Sequence, residues 1–293
     1  MEYTLLNQIG ASLYAGTGGA CTLELLSAGV LGSQARTLQM TADGSLPLCL
    51  IESTVLAEQF PDFSLLSAPF LFDSPEHQES VFRSDALLPL FLETETGGLT
   101  ILCAWSPGPQ GICTREAPIS SPASLRELRV QTGSSDTSVS FFERAGSVSA
   151  GLPARDVYSS FSLGILDGAE ENLFSYTAGL HYEVAPFYTF TNHLYSTELL
   201  VIGTETLSAL EDREAAVLKD ACTASVPLGF RLFEERRAAC RQEAEIGNAV
   251  FFDVDNADFR NLSADITAGL ASQSEVTQAV FDAIAALRPP VDS

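Results

Sequence analysis

Three polar groupings in this 293-residue chain could carry chemistry. Arg129 stands between Leu128 and Val130 in a strand-like run, where a planar guanidinium at a strand end can hold a carboxylate through two parallel hydrogen bonds. The bland alternative is an arginine that is solvated or ion-paired at the surface. Asp167-Gly168-Ala169-Glu170-Glu171-Asn172 places acidic side chains after a turn, able to accept hydrogen bonds from a polar ligand or to complement the positive end of a helix dipole. Thr191-Asn192-His193 precedes the apolar run Leu199 to Ile202, and loops at strand ends are where ligands sit in open α/β sheets.

Recognised enzyme patterns do not accompany these groups. There is no H-E-x-x-H, no phosphate-cradling G-x-x-x-x-G-K and no G-x-G-x-x-G between a strand and a helix. Gly146-Ser147-Val148-Ser149-Ala150-Gly151 has valine where a G-x-S-x-G elbow needs its serine. His77, His181 and His193 lack local metal-ligand spacing. No catalytic residue, metal or cofactor is therefore assigned. A hydrolase or isomerase using Glu170, Glu171 and His193 as acid and base groups is the alternative from another class, since close carboxylates push their pKa values apart.

Charge narrows the partners. Fifteen basic against 38 acidic residues leave −23, the wrong sign for phosphate backbones, which argues against nucleic acid. Lys219 is the only lysine, so any anion is expected to be read by an arginine. Cys21, Cys49, Cys103, Cys113, Cys222 and Cys240 form no C-x-x-C pair and read as core thiols, with one or two disulfides open. Apolar runs such as Leu87 to Leu92 fall far short of the ~20 residues that cross a bilayer. Met1-Glu2-Tyr3-Thr4 has neither the basic nor the apolar region of an export signal.

The elements that must position these groups alternate as in an α/β chain. Strands are expected at Cys21 to Leu26, Leu46 to Ile51, Gly98 to Trp105, Ser124 to Val130, Gly164 to Gly168 and Leu199 to Ile202. Helices are expected at Gln34 to Ala42 and Asp156 to Ser162, and as two long ones at Thr206 to Val226 and Phe230 to Gly247. The Pro/Gly-rich Ser106 to Gly111 is the candidate lobe crossing.

Taken in order, these stretches resemble the extracytoplasmic solute-binding proteins of tripartite ATP-independent periplasmic (TRAP) transporters. The match runs through Ser27 to Ser33, Ala68 to Phe72, Leu125 to Val130 as the family's "GLKxRV" segment, and Asp156-Val157-Tyr158. It continues with Gly164 to Asn172 as the "GVVDGAEN" segment, His181 to Ala185, Thr191-Asn192-His193 and two C-terminal helices, covering about residues 10 to 285.

The resemblance implies an α/β, two-lobed periplasmic-binding-protein-like fold closing over a small organic acid, with lobe 1 from 1–106 and 196–235 and lobe 2 from 107–195 and 236–293. It implies that Arg129 clamps the ligand carboxylate, with Trp105 at the cleft and Thr132 just beyond the clamp. Glu52 and Gln34 would form the first-lobe wall; Glu170, Glu171, Asn172, Asn192 and His193 would reach the ligand from the second. Acidic neighbours tilt the ligand towards a hydroxylated monocarboxylate such as a sugar acid. A TRAP membrane permease is the implied partner, and a periplasmic or extracytoplasmic monomer the implied state.

The chain also departs from the family pattern. Glu171 stands before Asn172 where the family has its asparagine directly after one glutamate, and Pro107-Gly108-Pro109-Gln110 occupies the place of a second arginine that some members carry. The opening strand of lobe 1 and the export signal are expected to be missing, which makes a non-binding remnant a further alternative.

Overall fold

The computed structural model describes residues 1–26, 29–133 and 135–289, so Ser27 and Ala28 of the first matched stretch and residues 290–293 of the expected second lobe lie outside the described residues. The chain opens with helix α1 (Glu2–Gly16), which buries Leu5, Ile9 and Leu13 on one face. It continues through α2 (Gln34–Ala42), strand β1 (Leu48–Glu52), α3 (Ser53–Ala57), α4 (Pro75–Phe82) and α5 (Leu88–Glu93) to β2 (Leu99–Trp105). Ser33 starts α2 by accepting the Arg36 N–H at 3.3 Å, one of the orphan donors of a helix N-terminus.

Beyond Ser106 come β3 (Pro109–Thr114), β4 (Arg129–Gln131), α6 (Asp136–Arg144), β5 (Val148–Ala150), α7 (Ala154–Ser162), β6 (Gly168–Asn172), α8 (Leu173–Ala178) and β7 (Phe187–Tyr195). The chain returns through β8 (Glu198–Gly203) and α9 (Thr204–Ala209) to α10 (Asp212–Ile246), then β9 (Val250–Asp253), α11 (Ala257–Ala271) and α12 (Glu275–Ala286).

Two sheets result. The first has the order β1-β8-β2; β8 runs antiparallel to both neighbours, and Glu198 stands opposite Glu52 on one side and Trp105 on the other. The second has the order β5-β4-β6-β3-β7-β9. The first sheet is covered on both faces, which is why β1, β2 and β8 read as near-continuous apolar runs. In the first, Ile51, Leu199 and Val201 face one core while Trp105, Leu200 and Ile202 face the other, under α1 and α10. The chain passes between the sheets at 106–108 and 196–197.

Several expected boundaries move. Cys21 to Leu26 forms no strand. A strand needs a neighbour to take its backbone hydrogen bonds, and between this segment and the outer edge of β1 lies an apolar space of about 440 Å³ lined by Leu23, Leu25, Leu6, Leu48 and Leu50. Among the described residues the first sheet holds no strand ahead of Leu48. The strand expected at Gly164 to Gly168 begins where that reading ends: residues 164–167 are a turn, with Gly164 at φ +69°, and the acidic residues form β6 itself.

The two long helices expected around Pro227 are one helix of 35 residues. Proline costs one interior hydrogen bond, which packing at both ends offsets: Leu218, Cys222, Val226 and Phe230 sit in the first-lobe core and Cys240 and Ala244 in the second. α12 is also corrected. It was expected with the second lobe, but Val280 and Ile284 join the core of the first, and the Ile284 carbonyl lies 3.0 Å from His77 Nε2.

Candidate functional site

β4 and β6 run parallel, Gln131 opposite Ala169, so their carboxyl ends emerge together. That is the position where open α/β sheets leave a ligand crevice. A cleft of about 460 Å³ lies there, within the range of small-molecule sites. Gln110, Gln131, Ser138, Glu170, Glu171 and Asn172 line it from the second sheet and its helices, Glu2, Glu52, Thr54 and Glu198 from the first lobe, and Pro107 and Ser196 at the crossings. Among the described residues lining it there is no lysine or arginine.

Of the ten residues expected at the site, Glu52, Glu170, Glu171 and Asn172 come together here. Glu170 is buried, with Oε1 3.0 Å from His193 Nε2, while Oε2 accepts the Gly133 N–H at 2.7 Å and the Ser138 hydroxyl. Burial by itself raises this carboxyl. The hydrogen bond and charge of His193, joined by Ser138 and Gly133, outweigh it and hold Glu170 below the ordinary carboxylate value. Glu171, next along the strand, turns to the other side and meets His181 Nδ1 at 2.7–2.8 Å. Its thiol neighbour Cys113 is pushed well up, by burial and then by the Glu171 charge. Asn172 caps α8, its Oδ1 accepting the Ser175 N–H at 2.9 Å.

The remaining six are placed elsewhere. Arg129 lies at the opposite end of β4 from the cleft, its guanidinium bonded through Nε and Nη2 to both carboxylate oxygens of Asp167 at 2.7 and 2.6 Å. That contact lowers Asp167 and raises Arg129. The clamp expectation is therefore corrected to a surface ion pair. The physical reason is register. A glycine at the head of such a segment permits a left-handed backbone there, and the residue of this stretch with that geometry is Glu127, at φ +65°. Counted from Glu127, the "GLKxRV" arginine position falls on Gln131, which does line the cleft.

Trp105 is corrected likewise: it is 1% exposed, in the core beneath α10, with its indole N–H donating to Ser225 Oγ at 2.9 Å. His193 is buried and stacks on Phe141 at 4.5 Å, with Thr191 Oγ1 on its other nitrogen at 2.8 Å. It therefore reaches the cleft only through Glu170. Asn192 sits at φ +46° where the β3–β7 register shifts, and Thr132 is buried. Gln34 backs the wall, its side-chain oxygen accepting the Glu52 N–H at 2.9 Å.

Sequence reasoning passed over Gln110, Gln131, Ser196 and Glu198. Gln110 donates to Ser196 Oγ at 2.9 Å and Gln131 to the Thr132 carbonyl at 2.9 Å, so two amides are already oriented. Glu198 heads an apolar strand, and a charged residue there was the available signal. Its Oε2 is buried without a hydrogen-bond partner. Desolvation, then the neighbouring Glu2 and Glu52 charges, push it up to about 8, the Met1 α-ammonium opposing weakly.

The sequence profile of DctP, bacterial extracellular solute-binding protein family 7, matches residues 2–273. The 2,3-diketo-L-gulonate-binding periplasmic protein YiaO of Escherichia coli K12 is 25% identical over 244 residues, covering 83% of this chain and 74% of its own. A TRAP periplasmic solute-binding protein of Bradyrhizobium sp. btai1, in complex with α/β-D-galacturonate, is 26% identical with a TM-score of 0.86, covering 96% of this chain and 94% of its own. One from Roseobacter denitrificans, with bound β-D-glucuronate, shares the fold at a TM-score of 0.87 and 24% identity, covering 97% and 94%.

Proposed function

The chain belongs to bacterial extracellular solute-binding protein family 7, and from that premise we propose that it is the extracytoplasmic receptor of a TRAP transporter. It acts as a monomer, takes a small organic acid of the sugar-acid, uronate-like kind between its lobes, and delivers it unchanged to a membrane permease. The observation that carries this reading is the inter-lobe cleft of about 460 Å³, walled by hydrogen-bonding side chains from both sheets. Sugar hydroxyls are donors, and Glu52 and the side-chain oxygens of Gln110 and Gln131 are acceptors on opposite walls. Closing two lobes over such a ligand expels water and strengthens each of these bonds. The uronates bound by relatives with the same fold support the ligand class.

A thermal-shift screen across uronates, aldonates, 2-oxo acids and C4-dicarboxylates tests the reading. Uronates or aldonates are expected to give the largest upward shift. A response confined to dicarboxylates, or conversion of any sugar acid into product, overturns it.

A further inference from the structure

An anionic ligand poses a problem for this cleft, since no cationic side chain lines it among the described residues and both second-lobe carboxylates are consumed by His193 and His181. The carboxylate of a sugar acid must still be met by donors. Gln110 and Gln131 each already spend one amide hydrogen within the protein. On the first-lobe wall, Glu198 lines the cleft and has a buried oxygen without a hydrogen-bond partner among the described residues, and Glu52 faces it across the β1–β8 ladder. A buried polar atom without a partner in a ligand cleft is one that a ligand can complete.

Resting on the sugar-acid reading, we propose that Glu198 is the specificity-determining residue for the ligand's carboxylate: it stands protonated in the cleft and donates its O–H to the carboxylate, in place of a guanidinium clamp. A carboxylic acid held neutral by its surroundings is a hydrogen-bond donor to an anion, and an O–H···O⁻ bond is about twice as strong as a neutral one. The groups around it favour the proton. Glu2 on α1 and Glu52 on β1 are acidic, Trp105 on β2 is neutral, and only the Met1 α-ammonium opposes. Burial and these charges keep the carboxyl protonated at neutral pH, its ordinary value being raised to about 8. Above that pH Glu198 ionises and repels the ligand.

The test is calorimetric titration of the whole chain with D-glucuronate, D-glucose and D-glucosamine from about pH 6 to about pH 9.5, in two buffers of different ionisation enthalpy. D-glucuronate affinity is expected to hold at the acid end and fall about tenfold per pH unit above about pH 8, with uptake of up to one proton there. Glu198→Gln, which keeps a neutral donor, should stay within about threefold of the parent at pH 7 and lose the fall; Glu198→Ala should bind about 10- to 100-fold more weakly. D-glucuronate binding that is independent of pH and of proton uptake, or a Glu198→Gln variant that retains the fall, overturns the role of Glu198 and leaves the sugar-acid reading standing. Binding of D-glucose or D-glucosamine with no D-glucuronate binding at any pH overturns both.

Discussion

The cleft is walled by two pairs of glutamates with opposite histories. On the second lobe, Glu170 and Glu171 are each 7% exposed and each bonded to a histidine. On the first, Glu52 and Glu198 face one another across a ladder with only Thr54, 3.4 Å from Glu52, offering a hydroxyl. The first pair is therefore structural in its energetics: its charges are answered inside the protein, and removing a partner strands a buried ion. The second has no histidine or other ionic side-chain partner of that kind among the described residues. Acidic residues in a cleft say little about binding until their partners have been counted.

The largest expected effect breaks the second-lobe pair. His193→Ala should cost about 3–5 kcal/mol in urea unfolding because Glu170 is left buried without its partner, and a loss below about 1 kcal/mol would show the pair to be incidental. The next effect is a pH signature of opposite sign on the two walls. Glu170 lies below its ordinary value, so its contribution is present above the normal carboxylate range and is lost as pH falls through the lowered value. Glu198 lies above its ordinary value, so its contribution is full below about pH 4.5 and declines by about 1.4 kcal/mol per pH unit until about pH 8. Glu198→Gln should remove that alkaline decline, making the variant about 2–4 kcal/mol more stable than the parent at pH 8 relative to pH 5; parallel stability curves for parent and variant would contradict the assignment.

Smaller effects separate core from cleft. Trp105→Phe should cost about 1–2 kcal/mol through the lost bond to Ser225 and leave D-glucuronate affinity unchanged. Arg129→Ala should move the melting temperature by no more than about 2 °C, since an exposed ion pair contributes little. A weakened ligand response in either variant would restore that residue to the site.

Much of the architecture was legible in the chain. Leu199 to Ile202 and Leu99 to Trp105 are strands because a sheet covered on both faces needs unbroken apolar runs, and the crossing at Pro107-Gly108 is written in its composition. What local pattern could not supply was partnership. Cys21 to Leu26 has the composition of a strand but no neighbour to pair with. Pro227 looks like a stop, yet α10 runs through it because both lobes hold the helix. α12 lies late in the chain and packs against the early lobe.

The site shows the same division. Glu170 to Asn172 was readable as an acidic turn-and-strand motif at a sheet end, whereas Arg129 and Gln131 share one face of a three-residue strand and differ only in which end meets the cleft. Only the positive φ of Glu127 fixes that register.

The most direct measurement is calorimetric titration of D-glucuronate at about pH 7 into the parent chain, Arg129→Ala and Ser196→Trp, the last filling the cleft from the lobe crossing. One-to-one binding in the parent, unchanged in Arg129→Ala and abolished in Ser196→Trp while its unfolding curve stays cooperative, is the predicted result. Binding that survives the filled cleft, or is lost with Arg129, would contradict the inter-lobe cleft as the solute site.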